Sequence, residues 1–418
     1  MAIQNYGSLK VFKMMSLKNF QEKIYALLVP DIIRPKKIKD LKDMDIDIIK
    51  GIKDQGQADT LKSDLKVKKI KDLAKVALDK ARTFAEQHDI KVMDMEEWIT
   101  IAKLIMRAEK YRGEIAKKVM LLGIDNAGKT AISKTLTIKY RGNLQAFGQM
   151  LKDLLPTKGA VQDRLKVSNV NVMLWDLGGQ MQYRKIYLEE PERFFFDASA
   201  VLYVIDIQDE ERFDETIDYF EKIVKTFHFL KENPYFMVLF HKYDPELEME
   251  PKYQVFIKDL TKRVSSNLNE AGLKFQIRNS SVYNDLTVFN AFTELIRIFA
   301  NVDVQQTINQ ILEKQARVVG LDNLVLFDLS GVRVGEYCQS NEIRDLINAL
   351  TIQNLQTLVM QDEQVVLEFE GQYFSALPVF LEGKTIILSS VHGDSSVKEK
   401  LGQQTPAELE PWLESLME

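Results

Sequence analysis

The sequence is most informative at residues 119–130, which read Val119-Met120-Leu121-Leu122-Gly123-Ile124-Asp125-Asn126-Ala127-Gly128-Lys129-Thr130. The first four residues are apolar, as in a short buried strand, and the residues after Thr130 favour a helix. Between them lies the pattern G-x-x-x-x-G-K-[ST], whose glycines let backbone N–H groups approach phosphate oxygens. The start of the helix adds a favourable dipole at the same place. The stretch therefore predicts a phosphate-binding loop between a strand and a helix.

This loop supplies the first candidate site residues. The ammonium group of Lys129 is placed to reach the β- and γ-phosphates of a nucleotide, and we assign it a catalytic role as well. The hydroxyl of Thr130 is placed to ligate Mg²⁺. We expect the phosphates to be surrounded by Gly123, Asp125, Asn126, Ala127, Gly128, Lys129, Thr130 and Ala131.

Buried strands alternate with helical patterns through the middle of the chain. Helical patterns at 214–227 and 251–271 separate some of the strands, which we predict at 119–122, 170–174, 200–205, 235–240 and 274–277. This alternation predicts an α/β fold with a mostly parallel, doubly wound sheet. In such a sheet, ligands bind at the carboxyl ends of the strands.

A second motif, Trp-Asp-Leu-Gly-Gly-Gln at 175–180, follows the second of these strands. Asp176 is placed to hold Mg²⁺ through a water molecule, and the backbone N–H of Gly179 to contact a γ-phosphate. Gln180 is placed to orient the attacking water and is our second catalytic candidate. Thr157 lies 19 residues before Asp176. In such a loop a threonine can fold onto Mg²⁺ only when the γ-phosphate is present, which makes the loop a two-state element.

Two polar segments at the ends of later strands predict base recognition. In His241-Lys242-Tyr243-Asp244, the carboxylate of Asp244 can accept both N1–H and N2–H₂ of guanine, and the stem of Lys242 can lie over the base. Adenine presents no such pair of donors, so this reading disfavours the alternative of an ATPase. Ser281 and Val282 could supply a backbone N–H to guanine O6.

With these motifs in place, residues 116–302 resemble a Ras-superfamily small GTPase. The phosphate side is similar to the Arf family, including Asp125 and the spacing from Thr157 to Asp176. The base side is similar to the Rag/Gtr family, in which His241 replaces the usual Asn of N-K-x-D. Residues 303–418 resemble the roadblock-type domain that follows the GTPase in Rag proteins. The resemblance implies GTP/GDP and Mg²⁺ as ligands, slow GTP hydrolysis, and regulation by activating and exchange proteins.

Charge and pattern change near residues 115 and 302, which predicts three domains. Residues 1–115 carry 24 basic and 18 acidic residues, and residues 303–418 carry 7 and 18. We expect an N-terminal helical domain with a short repeat (Lys-Lys-Ile-Lys-Asp-Leu at 36–41 and 68–73), a GTPase domain at 116–302, and an α+β domain at 303–418. The predicted element order of the last domain is αββαβββα with an antiparallel sheet.

Several partner assignments stay open at this point. The C-terminal domain is expected to form a homodimer or a heterodimer, against the alternative of a domain packed only on its own GTPase. The basic N-terminal segment fits a partner-binding or regulatory domain better than a membrane-surface helix. The overall charge of -5 disfavours a nucleic-acid contact. A single cysteine, Cys338, and no apolar run of membrane-spanning length favour a cytoplasmic protein that partners recruit to a membrane surface. A nucleotide-stabilised assembly scaffold with little GTP turnover is the alternative function.

Overall fold

The computed structural model describes residues 21–30, 32, 38–108, 116–141, 156–168, 170–299, 302–360, 364–381, 384–396 and 399. The chain divides into two compact units. The first consists of Met1–Lys117, Met181–Ser199 and Glu221–Pro234, and the second of Lys118–Gln180, Ala200–Phe220 and Tyr235–Glu418. The predicted domain boundaries stay predictions, since residues 109–115 and 300–301 lie outside the described residues.

Helices and strands have the following bounds. The α-helices are α1 Lys50–Asp54, α2 Ala58–Ser63, α3 Ile70–Leu73, α4 Leu78–Gln87, α5 Val92–Ala108, α6 Lys129–Arg141, α7 Met181–Glu189, α8 Pro191–Phe194, α9 Phe213–Phe229, α10 Pro251–Glu270, α11 Asp285–Arg297, α12 Val302–Val319, α13 Asn341–Gln353 and α14 Leu355–Met360. Residues 21–26 are also helical. Short 3₁₀ turns lie at Ile38–Asp43, Ile46–Ile48, Glu210–Arg212 and Pro245–Leu247. The strands are β1 Lys117–Leu122, β2 Ala160–Val167, β3 Val170–Leu177, β4 Ala200–Asp206, β5 Tyr235–His241, β6 Phe275–Ser280, β7 Asn323–Asp328, β8 Arg333–Cys338, β9 Val365–Phe369, β10 Gln372–Leu381 and β11 Lys384–His392.

The first unit is built from helices around a buried tryptophan. Trp98 of α5 is 1% exposed and packs so closely on Gly51 that a Cβ there would lie 2.5 Å from the indole nitrogen. Within the sequence repeat, residues 38–41 lie in a 3₁₀ turn and residues 70–73 form α3, and an antiparallel bridge joins Asp45 to Lys69 beside them. Lys23 donates to the buried carboxylate of Glu232 at 2.8 Å within the same unit. Residues 1–20 of the N-terminal segment lie outside the described residues.

The second unit contains a mostly parallel sheet, which confirms the predicted α/β fold. Its six strands have the order β2-β3-β1-β4-β5-β6. β4 pairs in parallel with β1 and β5, and β5 pairs in parallel with β6. β2, which the sequence did not predict, pairs antiparallel with β3. An apolar core from β1, β4, β5, α6 and α11 lies against one face of this sheet and fixes the loops at its carboxyl edge.

An antiparallel five-stranded sheet follows in the same unit, with the order β8-β7-β11-β10-β9. The helix predicted between the second and third strands of the last domain is divided into α13 and α14, with Asn354 between them. The predicted C-terminal helix lies outside the described residues, apart from Glu399. The turn after β7 contacts the β2–β3 hairpin, where the backbone N–H of Ser168 donates to Ser330 Oγ at 3.2 Å. In the part of the chain that the structure describes, no helix combines the length and apolarity needed to cross a membrane.

Candidate nucleotide-binding site

A cleft of about 370 Å³ opens at the carboxyl edge of the six-stranded sheet. It is lined by residues from the loop after β1, from the segment before β2, from the loop after β3 and from the end of β5. The lining residues are Asp125, Asn126, Gly128, Lys129, Thr130, Ala131, Pro156, Thr157, Gly178, Gly179, Gln180 and Lys242. The structure therefore brings most of the predicted phosphate-side residues into one cavity. Gly123 and Ala127 belong to the same loop without lining the cleft.

The P-loop takes a backbone conformation that only glycine adopts easily at its second conserved position. Gly128 has φ +94°, and a Cβ there would lie 2.4 Å from Cδ2 of His241. Helix α6 begins at the next residue, so the N-terminal N–H groups of the helix face the cleft. Lys129 is 5% exposed, and its ammonium group donates to the carbonyl of Ile124 at 2.5 Å. The side chain of Lys129 is therefore folded back onto the same loop that would surround a phosphate.

Three oxygen atoms from three separate segments meet beside the P-loop. Thr130 Oγ1 lies 2.6 Å from Thr157 Oγ1 and donates to Asp176 Oδ2 at 2.8 Å. Thr157 Oγ1 donates to the same carboxylate oxygen at 3.0 Å. The β2–β3 pairing explains the contact, because it joins Val161 to Asp176 and so carries Thr157 to the end of β3.

This oxygen cluster fits a magnesium ion. Neighbouring ligands of an octahedral Mg²⁺ at 2.0–2.1 Å stand about 2.8–3.0 Å apart, close to the separations observed here. The other carboxylate oxygen, Asp176 Oδ1, is buried without a hydrogen-bond partner among the described residues, so it has capacity for a water or ion. No group of three or more His, Cys, Asp or Glu side chains suited to a metal occurs in the described part of the chain.

The loop after β3 packs tightly on the P-loop. A Cβ at Gly179 would lie 2.3 Å from the backbone N of Asp125, so only glycine fits this approach. The N–H of Gly178 donates to the carbonyl of Gly159 at 2.8 Å, which links this loop to the loop of Thr157. Gln180 follows directly and lines the cleft. The two loops predicted to contact a γ-phosphate are therefore hydrogen-bonded to each other.

His241 connects the base side of the site to the P-loop. Its ring is 1% exposed, contacts Gly128, and pairs through Nδ1 with the hydroxyl of Ser280 at 2.9 Å. Burial, with the nearby charge of Lys242, lowers the pKa of His241 to about 3. The imidazole is therefore neutral near pH 7, and it packs on Gly128 from the position where the general N-K-x-D pattern has an asparagine.

The remaining base-side residues form a hydrogen-bonded set. The ammonium group of Lys242 lies 2.7 Å from Asp206 Oδ2, which fixes the direction of its stem. Asp244 accepts from the hydroxyl of Ser281 at 2.5 Å and from Nε2 of Gln208 at 3.1 Å. The backbone N–H of Ser281 donates to Thr287 Oγ1 at 2.9 Å. Two backbone amides were predicted to donate to guanine O6. The amide of Ser281 already donates to Thr287, so the amide of Val282 is the candidate donor.

Three residues at the end of β4 and in the loop after it were not predicted from the sequence. Asp206 holds Lys242, Gln208 holds Asp244, and Arg212 pairs with Asp125 of the P-loop at 2.6 Å. This loop therefore contacts the base side and the phosphate side of the site. The position of this loop at the carboxyl end of a parallel strand could have predicted that it belongs to the site, because side chains at that edge converge on the ligand.

Comparison with known proteins agrees with this geometry. Residues 118–349 match the Gtr1/RagA G protein conserved region, which covers more than half of the chain. The chain therefore belongs to the Gtr1/RagA G-protein family, and its resemblance to Rag- and Arf-type small GTPases of the Ras superfamily is confirmed.

Individual relatives match a shorter part of the chain. Human ADP-ribosylation factor-related protein 1 is 33% identical over 106 residues, which are 25% of this chain and 50% of the relative. The rat protein is 32% identical over 108 residues, 26% of this chain and 51% of the relative. ADP-ribosylation factor-like protein 8c of Arabidopsis thaliana is 33% identical over 94 residues, 22% and 44% of the two chains. The chain spans about half the length of the curated relatives it matches.

Among solved structures, the chain is similar to the Arl6 BBS3 small GTPase from Trypanosoma brucei with bound GppNp. The sequence identity is 17% and the TM-score is 0.33, over 44% of this chain and 96% of the other.

Proposed function

We propose that the protein is a molecular switch that binds GTP and Mg²⁺ and hydrolyses GTP to GDP and phosphate. The observation that supports this most strongly is the cleft itself. It gathers the P-loop lysine, the oxygen cluster of Thr130, Thr157 and Asp176, and Gln180 around one volume. The family model adds independent support, because it describes a G protein.

The phosphate chain would lie along the P-loop, where backbone N–H groups and the start of α6 stabilise its negative charge. Lys129 would leave the Ile124 carbonyl and donate to the β- and γ-phosphates. Mg²⁺, when bound by Thr130, Thr157 and Asp176, would neutralise charge that develops between the two phosphates. Gln180 would hold a water in line with the bond to be broken. Catalysis in this arrangement is mainly positioning and charge stabilisation.

The base would lie between Lys242 and the loop after β6. Asp244 is already oriented by Ser281 and Gln208, so its carboxylate is preorganised to accept both guanine donors. The amide of Val282 would donate to guanine O6. A neutral His241 keeps the base loop packed on Gly128 without adding charge near the phosphates.

Switching would follow from the linked loops of Thr157 and Gly179. Both would contact the γ-phosphate side, and the hydrogen bond from Gly178 to Gly159 would couple their movements. Loss of the γ-phosphate would release both loops, and partner proteins would read the difference. We further propose that activating and exchange proteins control the cycle, because Asp125 crowds the γ-phosphate side and favours slow intrinsic hydrolysis.

We propose functions for the flanking regions as well. Residues 303–418 would act as a roadblock-like dimerisation domain, in a homodimer or a heterodimer, through the antiparallel sheet and its helices. Residues 1–115 would act as a partner-binding or regulatory domain. The protein would work in the cytoplasm in signalling or membrane-associated regulation, with partners supplying the membrane contact.

Single-turnover hydrolysis of bound GTP tests the proposal. The Gln180→Leu change removes the group that orients water and should slow hydrolysis about 10-fold or more while GTP stays bound. Gln353→Leu is the control, since Gln353 is an exposed glutamine at the end of α13. An equal, measurable rate in the wild type and Gln180→Leu would reject the mechanism. Tight GTP binding without turnover would favour the scaffold function instead.

A further inference from the structure

Arg212 makes a long-range ion pair with the P-loop. It ends the 3₁₀ turn after β4, and its Nη2 donates to Asp125 Oδ1 at 2.6 Å across 87 positions of sequence. Nη1 lies 3.4 Å from the backbone carbonyl of Asp125. Two neighbouring carboxylates hold the same guanidinium, Glu215 at 2.8 Å and Asp209 at 3.8 Å. Arg212 is therefore fixed in front of Asp125 by contacts on several of its nitrogen atoms.

Asp125 lines the part of the cleft that the proposed function assigns to the third phosphate. It lines the cleft with Thr157 and Gln180, and its backbone N contacts Gly179. These are the residues that the proposed function places around the γ-phosphate. A bare carboxylate at this point would repel a triphosphate more strongly than a diphosphate, because the triphosphate carries additional negative charge near it.

We propose that Arg212 is a positioning residue for triphosphate binding, which neutralises and orients Asp125 so that the cleft accepts the γ-phosphate. This inference rests on the proposed function. The side chains of Arg212 and Asp125 are 29% and 43% exposed, so solvent screens the pair. We therefore expect the loss of Arg212 to change the preference for triphosphate over diphosphate by a moderate factor, about 5- to 20-fold.

The test compares the affinities of the full chain for GDP and for a non-hydrolysable imido analogue of GTP, both with Mg²⁺. Arg212→Gln should weaken the analogue about 5- to 20-fold more than GDP. Arg212→Lys keeps the charge but loses the guanidinium contacts, so its ratio of affinities should lie between those of the wild type and Arg212→Gln. Arg263→Gln is the matched control. Arg263 is 31% exposed and donates to Asp214 at 2.7 Å, but it does not line the cleft.

The second variant removes the charge that Arg212 compensates. In Asp125→Asn combined with Arg212→Gln, the ratio of the two affinities should return to within about twofold of the wild type. Equal losses for both nucleotides, an unchanged ratio in Arg212→Gln, or no recovery in the double variant would overturn the role of Arg212. A wild-type chain that binds no guanine nucleotide would instead reject the proposed function, and the inference with it.

Discussion

Replacement of Gly128 by alanine tests the contact between the P-loop and His241. Two costs combine at this position. The φ of +94° is strained for any L side chain, at about 1–2 kcal/mol, and the new Cβ would meet the imidazole at 2.4 Å. His241 has little room to withdraw, because it is 1% exposed and hydrogen-bonded to Ser280. Overpacking of this kind costs about 1–3 kcal/mol, so the total should be about 2–5 kcal/mol.

A double-mutant cycle separates the two costs. In a His241→Ala background the ring atoms are gone, and Gly128→Ala should cost only about 1–2 kcal/mol for its backbone conformation. Gly272 is the control, since it has φ +67° and would find no atom within 4 Å of a new Cβ. Its change to alanine should cost the same with and without His241.

Native-state hydrogen exchange on the nucleotide-free protein, read at amides of β1 and β4, reports the free energy of opening of this sheet alone. A coupling of about 1–3 kcal/mol between Gly128→Ala and His241→Ala would support the packing argument. If Gly128→Ala costs the same in both backgrounds, then His241 does not restrict the P-loop and our account of the missing asparagine is wrong.

Three further predictions concern the base, the histidine and the metal. Asp244→Asn should weaken GTP about 10²- to 10⁴-fold in equilibrium titrations, because two hydrogen bonds to a charged acceptor are lost, and unaltered affinity would exclude Asp244 from the base site. Burial lowers the pKa of His241 to about 3, so NMR should show a histidine signal that is still neutral at pH 5 and that vanishes in His241→Asn. In the unfolded chain the imidazole of His241 takes up a proton near pH 6.5, before the folded chain does. The free energy of unfolding should therefore fall by up to about 1.4 kcal/mol per pH unit below pH 6.5. Titration of all four histidines near pH 6.5 would contradict the burial of His241. Thr130→Val should weaken GTP about 10- to 100-fold with Mg²⁺ present and much less after chelation, whereas equal losses in both conditions would place the hydroxyl outside the metal site.

The fold was predictable where strands are short, apolar and followed by recognisable loops. β1, β4 and β5 are almost wholly buried, and their sequences show it. β2 was missed because it is an edge strand, in which only Leu165 and Val167 are buried among polar neighbours. The 19-residue spacing of Thr157 and Asp176 contained the β2–β3 hairpin, but spacing alone does not distinguish a hairpin from a loop.

The candidate site was predictable where a residue belongs to a contiguous motif. The structure places Lys129, Thr130 and Gln180 around one cleft, and their roles there stay predictions. Contacts between distant segments were not readable in the same way. The pairing of Arg212 with Asp125 depends on how the loop after β4 folds back on the P-loop, which no local pattern encodes. The grouping of residues 181–199 and 221–234 with the N-terminal helices is another example.

The central claim is that the cleft selects a guanine nucleotide. The most direct measurement is an equilibrium titration of the purified chain with fluorescently labelled GTP, GDP and ATP in the presence of Mg²⁺, with unlabelled nucleotides as competitors. Our account predicts that GTP and GDP bind and compete with each other, while ATP competes at least about 10³-fold more weakly, because adenine has no donor pair for Asp244. ATP that competes as well as GTP, or a chain that binds neither guanine nucleotide, would contradict it.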